Sequence, residues 1–423
     1  MQRRPDSQRV VITGLGAFSP LGHSVDELWS GLVAGRSGVG PITQFDTGEL
    51  PCKIAGEVKD FKPGDYMNFK EARRMGRSSQ LAVATVQQAL ADAGLSVPLP
   101  EELQERAGVC VGTAMGPFEK SDEEIQTYRK RGWRATSPFA LTSSLANMPS
   151  HHISVLAQTK GPIATPVNAC ASGTQAIVEG AEYIRRGLAD VMIAGGVEGL
   201  IIEYGIAGFS VMRALSLKND DPTHASRPFD KTRDGFVLSE GCGLMVLESL
   251  EHARARGARI YAEVLGGASS SDAYHMAAPD PTGAGAVRAM KWALQNAGVD
   301  TSEVDYINAH GSSTPLNYSM ETLAIKTLFG EQAYNIPISS TKSMIGHCMG
   351  SAGTLEAIAC VKTIQTGIIH PTINYETPDP ECDLDYVPNV ARHANVRVTL
   401  SNSFGLGGNN ACVVLGQYQN GQH

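Results

Sequence analysis

Short runs rich in Val and Ile alternate along the whole chain with longer segments of helical period, and this alternation confines the fold to a layered α/β architecture. Strands are expected at residues 9–13, 108–112, 190–194, 244–248, 260–265, 304–308 and 396–400. Ser24 followed by Glu27 reads as a capping box opening a helix over 25–34. A second helix is expected from about 71 to 93, stopping at Gly94.

Two short patterns recur in the same order. Ala89-Leu90-Ala91-Asp92-Ala93-Gly94 is echoed by Ala293-Leu294-Gln295-Asn296-Ala297-Gly298, and Ser172-Gly173-Thr174 by Ala352-Gly353-Thr354. A duplicated α/β half accounts for both echoes, with residues 1–254 and 255–423 as the two halves, while chance recurrence of Ala-Gly helix ends accounts for each singly.

Charge narrows the function classes. With Lys+Arg 35 against Asp+Glu 43 the net charge is −8, which disfavours a generic nucleic-acid binder. The charge-free stretches 135–159 and 161–178 are interrupted by Pro138, Pro149, Pro162 and Pro166, so no membrane span is expected. Arg3, Arg4, Asp6 and Arg9 precede no apolar signal core, so a cytoplasmic location is expected. The eight cysteines are never spaced C-x-x-C and read as buried thiols rather than as disulfides or a zinc site.

Gly14-Leu15-Gly16 after the first strand lacks a third glycine and a following helix, so a dinucleotide site is not expected, and neither a Walker A loop nor HExxH occurs. Chemistry concentrates elsewhere. Cys170 lies among small residues in Asn168-Ala169-Cys170-Ala171-Ser172-Gly173, just before a helical pattern. At a helix N-terminus its thiol pKa is expected to fall, and the same amides could hold an oxyanion; a small buried hydrophobe is the competing reading. His310 and His347 each follow a strand-like run in a glycine-bearing turn. Lys342 and Glu321 lie near them in sequence and, if buried, must be paired. Ser401-Asn402-Ser403-Phe404-Gly405-Leu406-Gly407-Gly408 offers inward amides and one mobile aromatic, or else a tight hairpin.

Ala-Cys-Ala-Ser-Gly, His-Gly-Ser-Ser-Thr-Pro, Lys-Ser-Met-Ile-Gly-His and Asn-Ser-Phe-Gly-Leu-Gly-Gly, in that order, resemble the β-ketoacyl-acyl carrier protein synthases, and among them the elongating type II enzymes. The likeness runs from Val10 to about Leu415. It implies a thiolase-like fold, two similar halves in a five-layered α/β/α/β/α body, normally a homodimer. It also implies a decarboxylating Claisen condensation with acyl and malonyl carrier proteins as partners and no cofactor.

Carried over residue by residue, Cys170 would accept the acyl chain, and His310 and His347 would donate to the malonyl thioester. The amides of Cys170 and Phe404 would form the oxyanion hole, Lys342 paired with Glu321 would orient the site, and Phe404 would gate the channel. Ser312 and Thr314 would hold the pantetheine arm, and Met115 and Ala140 would line the acyl pocket. Lys70, Arg73, Arg74, Arg131 and Arg213, extended by Arg134, would meet the acidic carrier. Asn308, Glu356, Ser401 and Asn402 match positions that enclose a structural monovalent cation in some relatives, although no metal-ligand spacing is present. Tyr318 stands where relatives commonly have Asp, Ser312 replaces a Thr and Leu406 a Phe. A polyketide ketosynthase is the nearest rival. A degradative thiolase needs a second cysteine in a C-terminal Cys-x-Gly motif, a chain-length partner would have lost the nucleophile, and a cysteine hydrolase would leave the second histidine unexplained.

Overall fold

The first strand, β1 (Val10–Phe18), is buried along its full length and continues straight through Gly14-Leu15-Gly16 rather than ending at residue 13. The reason is steric. Helix α1 (Arg77–Asp92) crosses this strand so closely that a Cβ on Gly14 would lie 2.3 Å from the Ala89 carbonyl oxygen. The helix expected over 71–93 is likewise two pieces: Asn68 caps a single turn, Phe69–Ala72, and α1 starts afresh after Gly76. The helix Val25–Val33 begins as expected, with Ser24 Oγ accepting from Glu27 N.

A computed structural model of the chain describes residues 4–314 and 317–419; the side chains of 317–319, including Tyr318, lie outside that description. The remaining main strands are β2 (Ala107–Gly112), β3 (Ile163–Ala164), β4 (Val191–Glu198), β5 (Gly241–Ser249), β6 (Ala262–Ser271), β7 (Tyr306–Asn308), β8 (Ile338–Ser339), β9 (Val398–Gly405) and β10 (Asn409–Gly416). They form a ten-stranded sheet in the order β8-β7-β9-β10-β6-β1-β5-β4-β2-β3. Read outward from its middle, one half runs β1-β5-β4-β2-β3 and the other β6-β10-β9-β7-β8. These are the same topology shifted by five strands, and in each the outer three strands are mutually parallel while the inner two run antiparallel. Among the described residues, the two half-sheets are hydrogen-bonded to each other only through the short β1–β6 pairing at Val11–Glu263 and Ile12–Ala262.

Helices repeat in step: α1, α2 (Met148–Ala157) and α3 (Ser172–Arg185) in one half, α4 (Ala284–Ala297), α5 (Asn317–Phe329) and α6 (Ala352–Thr366) in the other. Helices α3 and α6 pack against each other and against both half-sheets, whereas α1 with α2 and α4 with α5 cover the outer faces. The result is five layers, α/β/α/β/α. The echoes have physical causes. Gly94 and Gly298 both adopt left-handed φ to end α1 and α4. Gly353 faces Thr174 across the α3–α6 contact, where an added Cβ would lie 2.0 Å from Thr174 Oγ1. Among the described residues no helix is long and apolar enough to cross a membrane.

Candidate active site

The turn between β3 and α3 presents Cys170. Ala169 takes a left-handed φ of 49°, a strained conformation for a residue with a Cβ. Ser172 Oγ holds it there, accepting from Asn168 N at 2.8 Å and donating to the Ala169 carbonyl at 2.7 Å. Cys170 therefore sits at the N-terminal end of α3, as the spacing predicts. Its thiol is not lowered, however: burial pushes it up to about 11, against the opposing pulls of the Lys342 charge and the Leu406 amide. That is a correction to the low-pKa expectation, because Cys170 is only 4% exposed.

His310 follows β7 and His347 follows a short helix, Lys342–Ile345. Their rings stand 5.4 Å apart at 78°, and Phe404, from the end of β9, lies 5.8 Å from the His310 ring. Burial first, then the Lys342 charge, holds both imidazoles well below their usual pKa, so both are neutral near pH 7. Met349 N donates to His347 Nδ1 at 3.1 Å, which leaves the ring proton on Nε2.

Lys342 does not pair with Glu321. Its ammonium is hydrogen-bonded to Glu356 of α6. Glu321, on α5, instead accepts from His310 N at 2.9 Å and Gly311 N at 3.0 Å, so it fixes the backbone that carries His310. Helix α6 brings Glu356 to the lysine, and α5 presents Glu321 to the turn after β7. The sequence signal was Glu356 itself, a lone carboxylate in the apolar run Ala352-Gly353-Thr354-Leu355-Glu356-Ala357-Ile358.

Cys170, His310, His347, Phe404, Ser312 and Thr314 all line one cavity of about 420 Å³, with Arg213 also on its wall. Met115 and Ala140 do not line it. Met115 sits in a loop whose amides point at Glu198, and Ala140 opens the short helix Ala140–Ser143, beside a separate cavity of about 650 Å³ bordered by Phe139 and Arg74. Within a single chain neither residue is on the wall of the cavity that holds Cys170, although the loop of Met115 abuts the cysteine turn, where Ser172 Oγ donates to the Thr113 carbonyl at 3.0 Å.

The family models for the β-ketoacyl synthase N-terminal and C-terminal domains match residues 7–253 and 261–376. The chain belongs to the β-ketoacyl synthase family. A 3-oxoacyl-[acyl-carrier-protein] synthase 2 of Synechocystis sp. is 48% identical over 98% of this chain and 99% of its own length. Two solved structures superpose on nearly the whole β-ketoacyl synthase chain. The ishigamide ketosynthase/chain length factor has a TM-score of 0.90 at 40% identity, covering 98% of this chain and 100% of its own. A type II PKS ketosynthase, solved with its acyl-carrier protein and bound to the hexaketide, has 0.89 at 34%, covering 98% and 100%.

In this β-ketoacyl synthase Lys70, Arg73, Arg74, Arg131, Arg134 and Arg213 are all exposed. Arg74 stacks over Phe139, with 4.5 Å from its guanidinium carbon to the ring centre, which ties the 69–74 turn to the 139–143 segment. Arg131 and Arg134 flank the end of helix Phe118–Arg131. Asn308 Oδ1 and Glu356 Oε2 are buried without a hydrogen-bond partner, which fits the monovalent cation that the family resemblance implies. Those oxygens, with Ser401 and Asn402, would hold it, and its charge would offset Glu356. Sequence reasoning missed Glu198, Phe236, Asp272 and Met349; of these, Phe236, Asp272 and Met349 line the cavity.

Proposed function

We propose that the protein is a 3-oxoacyl-acyl carrier protein synthase of fatty acid elongation. The observation that carries this reading is the pair of neutral, buried histidines facing the same cavity as the Cys170 thiol. A hydrolase needs one base, whereas decarboxylation of a malonyl thioester needs donors where enolate charge develops. Cys412, the one cysteine beyond the Phe404 loop, is buried in β10 and hydrogen-bonded to Asn402, which speaks against a thiolase.

In the first half-reaction the Cys170 sulfur attacks the acyl thioester, the carrier thiol leaves with a proton, and the amides of Cys170 and Phe404 stabilise the oxyanion. Phe404 then moves to admit malonyl carrier protein, with Ser312 and Thr314 along the pantetheine arm. His310 and His347 donate to the thioester oxygen as carbon dioxide departs. The enolate attacks the acyl-cysteine carbonyl and expels the Cys170 sulfur, leaving a 3-oxoacyl chain two carbons longer. Lys342 and Glu356 set the electrostatics, and Glu321 fixes the His310 backbone.

The basic residues Lys70, Arg73, Arg74, Arg131 and Arg213 would receive the acidic carrier. A second copy of the chain would pair along β3, the outermost strand, whose Ile163 is exposed, and would bring Met115 and Ala140 to an acyl pocket. We divide the chain at 254/255, within the short helix Leu250–Ala255 that separates the two strand repeats. All eight cysteines are free, which fits work in the reducing cytoplasm. The likeness to the type II PKS ketosynthase supports a type II polyketide ketosynthase as the second reading.

The test is carbon dioxide release from malonyl carrier protein. His310→Ala and His347→Ala should each lower it roughly 100-fold or more while Cys170 still loads acyl chains. Decarboxylation at the wild-type rate in both variants would remove the basis for this reading.

A further inference from the structure

Glu198 ends β4 in the interior of the protein, and four neutral donors converge on its carboxylate. Oε2 accepts from Ala114 N at 2.7 Å and Gly350 N at 3.1 Å, and Oε1 from Thr113 Oγ1 at 3.1 Å and Met115 N at 3.4 Å. These donors come from two segments otherwise remote in sequence: the loop after β2 and the turn after His347. They are packed so closely that a Cβ on Gly350 would lie 2.5 Å from Ala114 N. Within the same turn Met349 is left-handed, with φ 48°, and its amide is the donor that fixes the His347 ring.

We propose that Glu198 is a positioning residue for decarboxylation: its carboxylate clamps the 349–350 turn to the 113–115 loop and thereby holds His347 with Nε2–H aimed into the cavity. This rests on the function proposed above. An ionised carboxylate is the one side chain of this length that accepts on both oxygens, so it satisfies all four donors. Burial pushes Glu198 up to about 7 in spite of them, so the ionised form predominates above that pH and the half-reactions are compared at about pH 8. A glutamine of the same shape cannot substitute, because whichever way its amide is turned, an NH2 group faces one pair of donors.

The experiment separates the half-reactions, using octanoyl carrier protein to load Cys170 and malonyl carrier protein to measure carbon dioxide release. Wild type must do both; if it does neither, the proposed function fails, whatever the role of Glu198. In Glu198→Gln, kcat for decarboxylation should fall roughly 10- to 100-fold, as expected for a catalytic group displaced by a fraction of an ångström, with KM and Cys170 loading changed less than about threefold. Thr113→Val, which removes one donor and leaves the carboxylate, should lower decarboxylation about two- to fivefold with loading unchanged. If Glu198→Gln does not fold, Thr113→Val decides on the same readout. Equal losses in both half-reactions, or decarboxylation at the wild-type rate, would overturn the proposal.

Discussion

Lys342 donates to Glu356 in a sealed part of the core, with 1% and 0% of the two side chains exposed. Beyond the effect of burial, the same ammonium pulls the Cys170 thiol down and opposes protonation of His310 and His347. One buried ion pair thus bears on the protonation of Cys170, His310 and His347, which line the same cavity.

Removing either member of that pair strands a charge in the interior, so Lys342→Ala and Glu356→Ala should each destabilise the fold by about 3–5 kcal/mol. Glu321→Gln should cost about 1–3 kcal/mol, since it disturbs two backbone amides rather than an ion pair. Denaturant titrations in a double-mutant cycle check this: the coupling energy of Lys342 with Glu356 should exceed that with Glu321.

Because burial raises the Cys170 thiol to about 11, the resting enzyme holds it protonated at neutral pH. Alkylation of Cys170 by iodoacetamide, followed by mass spectrometry, should accelerate about tenfold per pH unit between pH 7 and 10. A plateau reached below pH 8 would contradict the raised pKa.

The α3–α6 contact leaves no room for a methyl group at Gly353, where a Cβ would press on Thr174 Oγ1. Gly353→Ala should therefore cost about 1–3 kcal/mol or more by overpacking. Gly208, in the helix Glu203–Val211 with nothing within 4 Å of an added Cβ, is the control: Gly208→Ala should be neutral or stabilising by up to about 1 kcal/mol. Thermal melts of the two variants make the comparison.

The layered class was legible because strand and helix periods differ, and the four motifs were legible because they sit in loops that the repeat brings to one place. What escaped was set by tertiary contact. Gly14 and Gly16 look like a loop but are glycine so that α1 can approach β1. The two-residue strands β3 and β8 are too short to show any period. The Lys342 partner could not be chosen from sequence, since α6 and α5 each offer a carboxylate and only packing decides between them. The position of Cys170 followed from its spacing, whereas its thiol pKa depends on burial, which spacing does not report.

Glu248, wholly buried in β5, resists the upward push of burial because Arg256, His252 and Thr13 hydrogen-bond to it, and it is lowered to about 2. A folded pKa below the unfolded one contributes stability that is present above about pH 4.5 and lost as pH falls towards 2. That contribution is about 3 kcal/mol at neutral pH. The gap in melting temperature between wild type and Glu248→Gln should therefore narrow across this window.

Charge reversal at Arg73 and Arg74 should raise KM for carrier protein about tenfold at low ionic strength, with a smaller effect in high salt and little change in kcat. Steady-state kinetics at two salt concentrations would show it.

In the proposed mechanism Cys170 carries the growing chain. Intact-protein mass spectrometry after incubation with octanoyl carrier protein, followed by malonyl carrier protein, tests it most directly. Wild type should gain one octanoyl mass and then lose it as a 3-oxoacyl carrier product, and Cys170→Ala should never gain it. Loading that persists in Cys170→Ala would mean that another residue carries the chain, and an acyl mass on wild type that malonyl carrier protein does not discharge would mean that the enzyme does not condense.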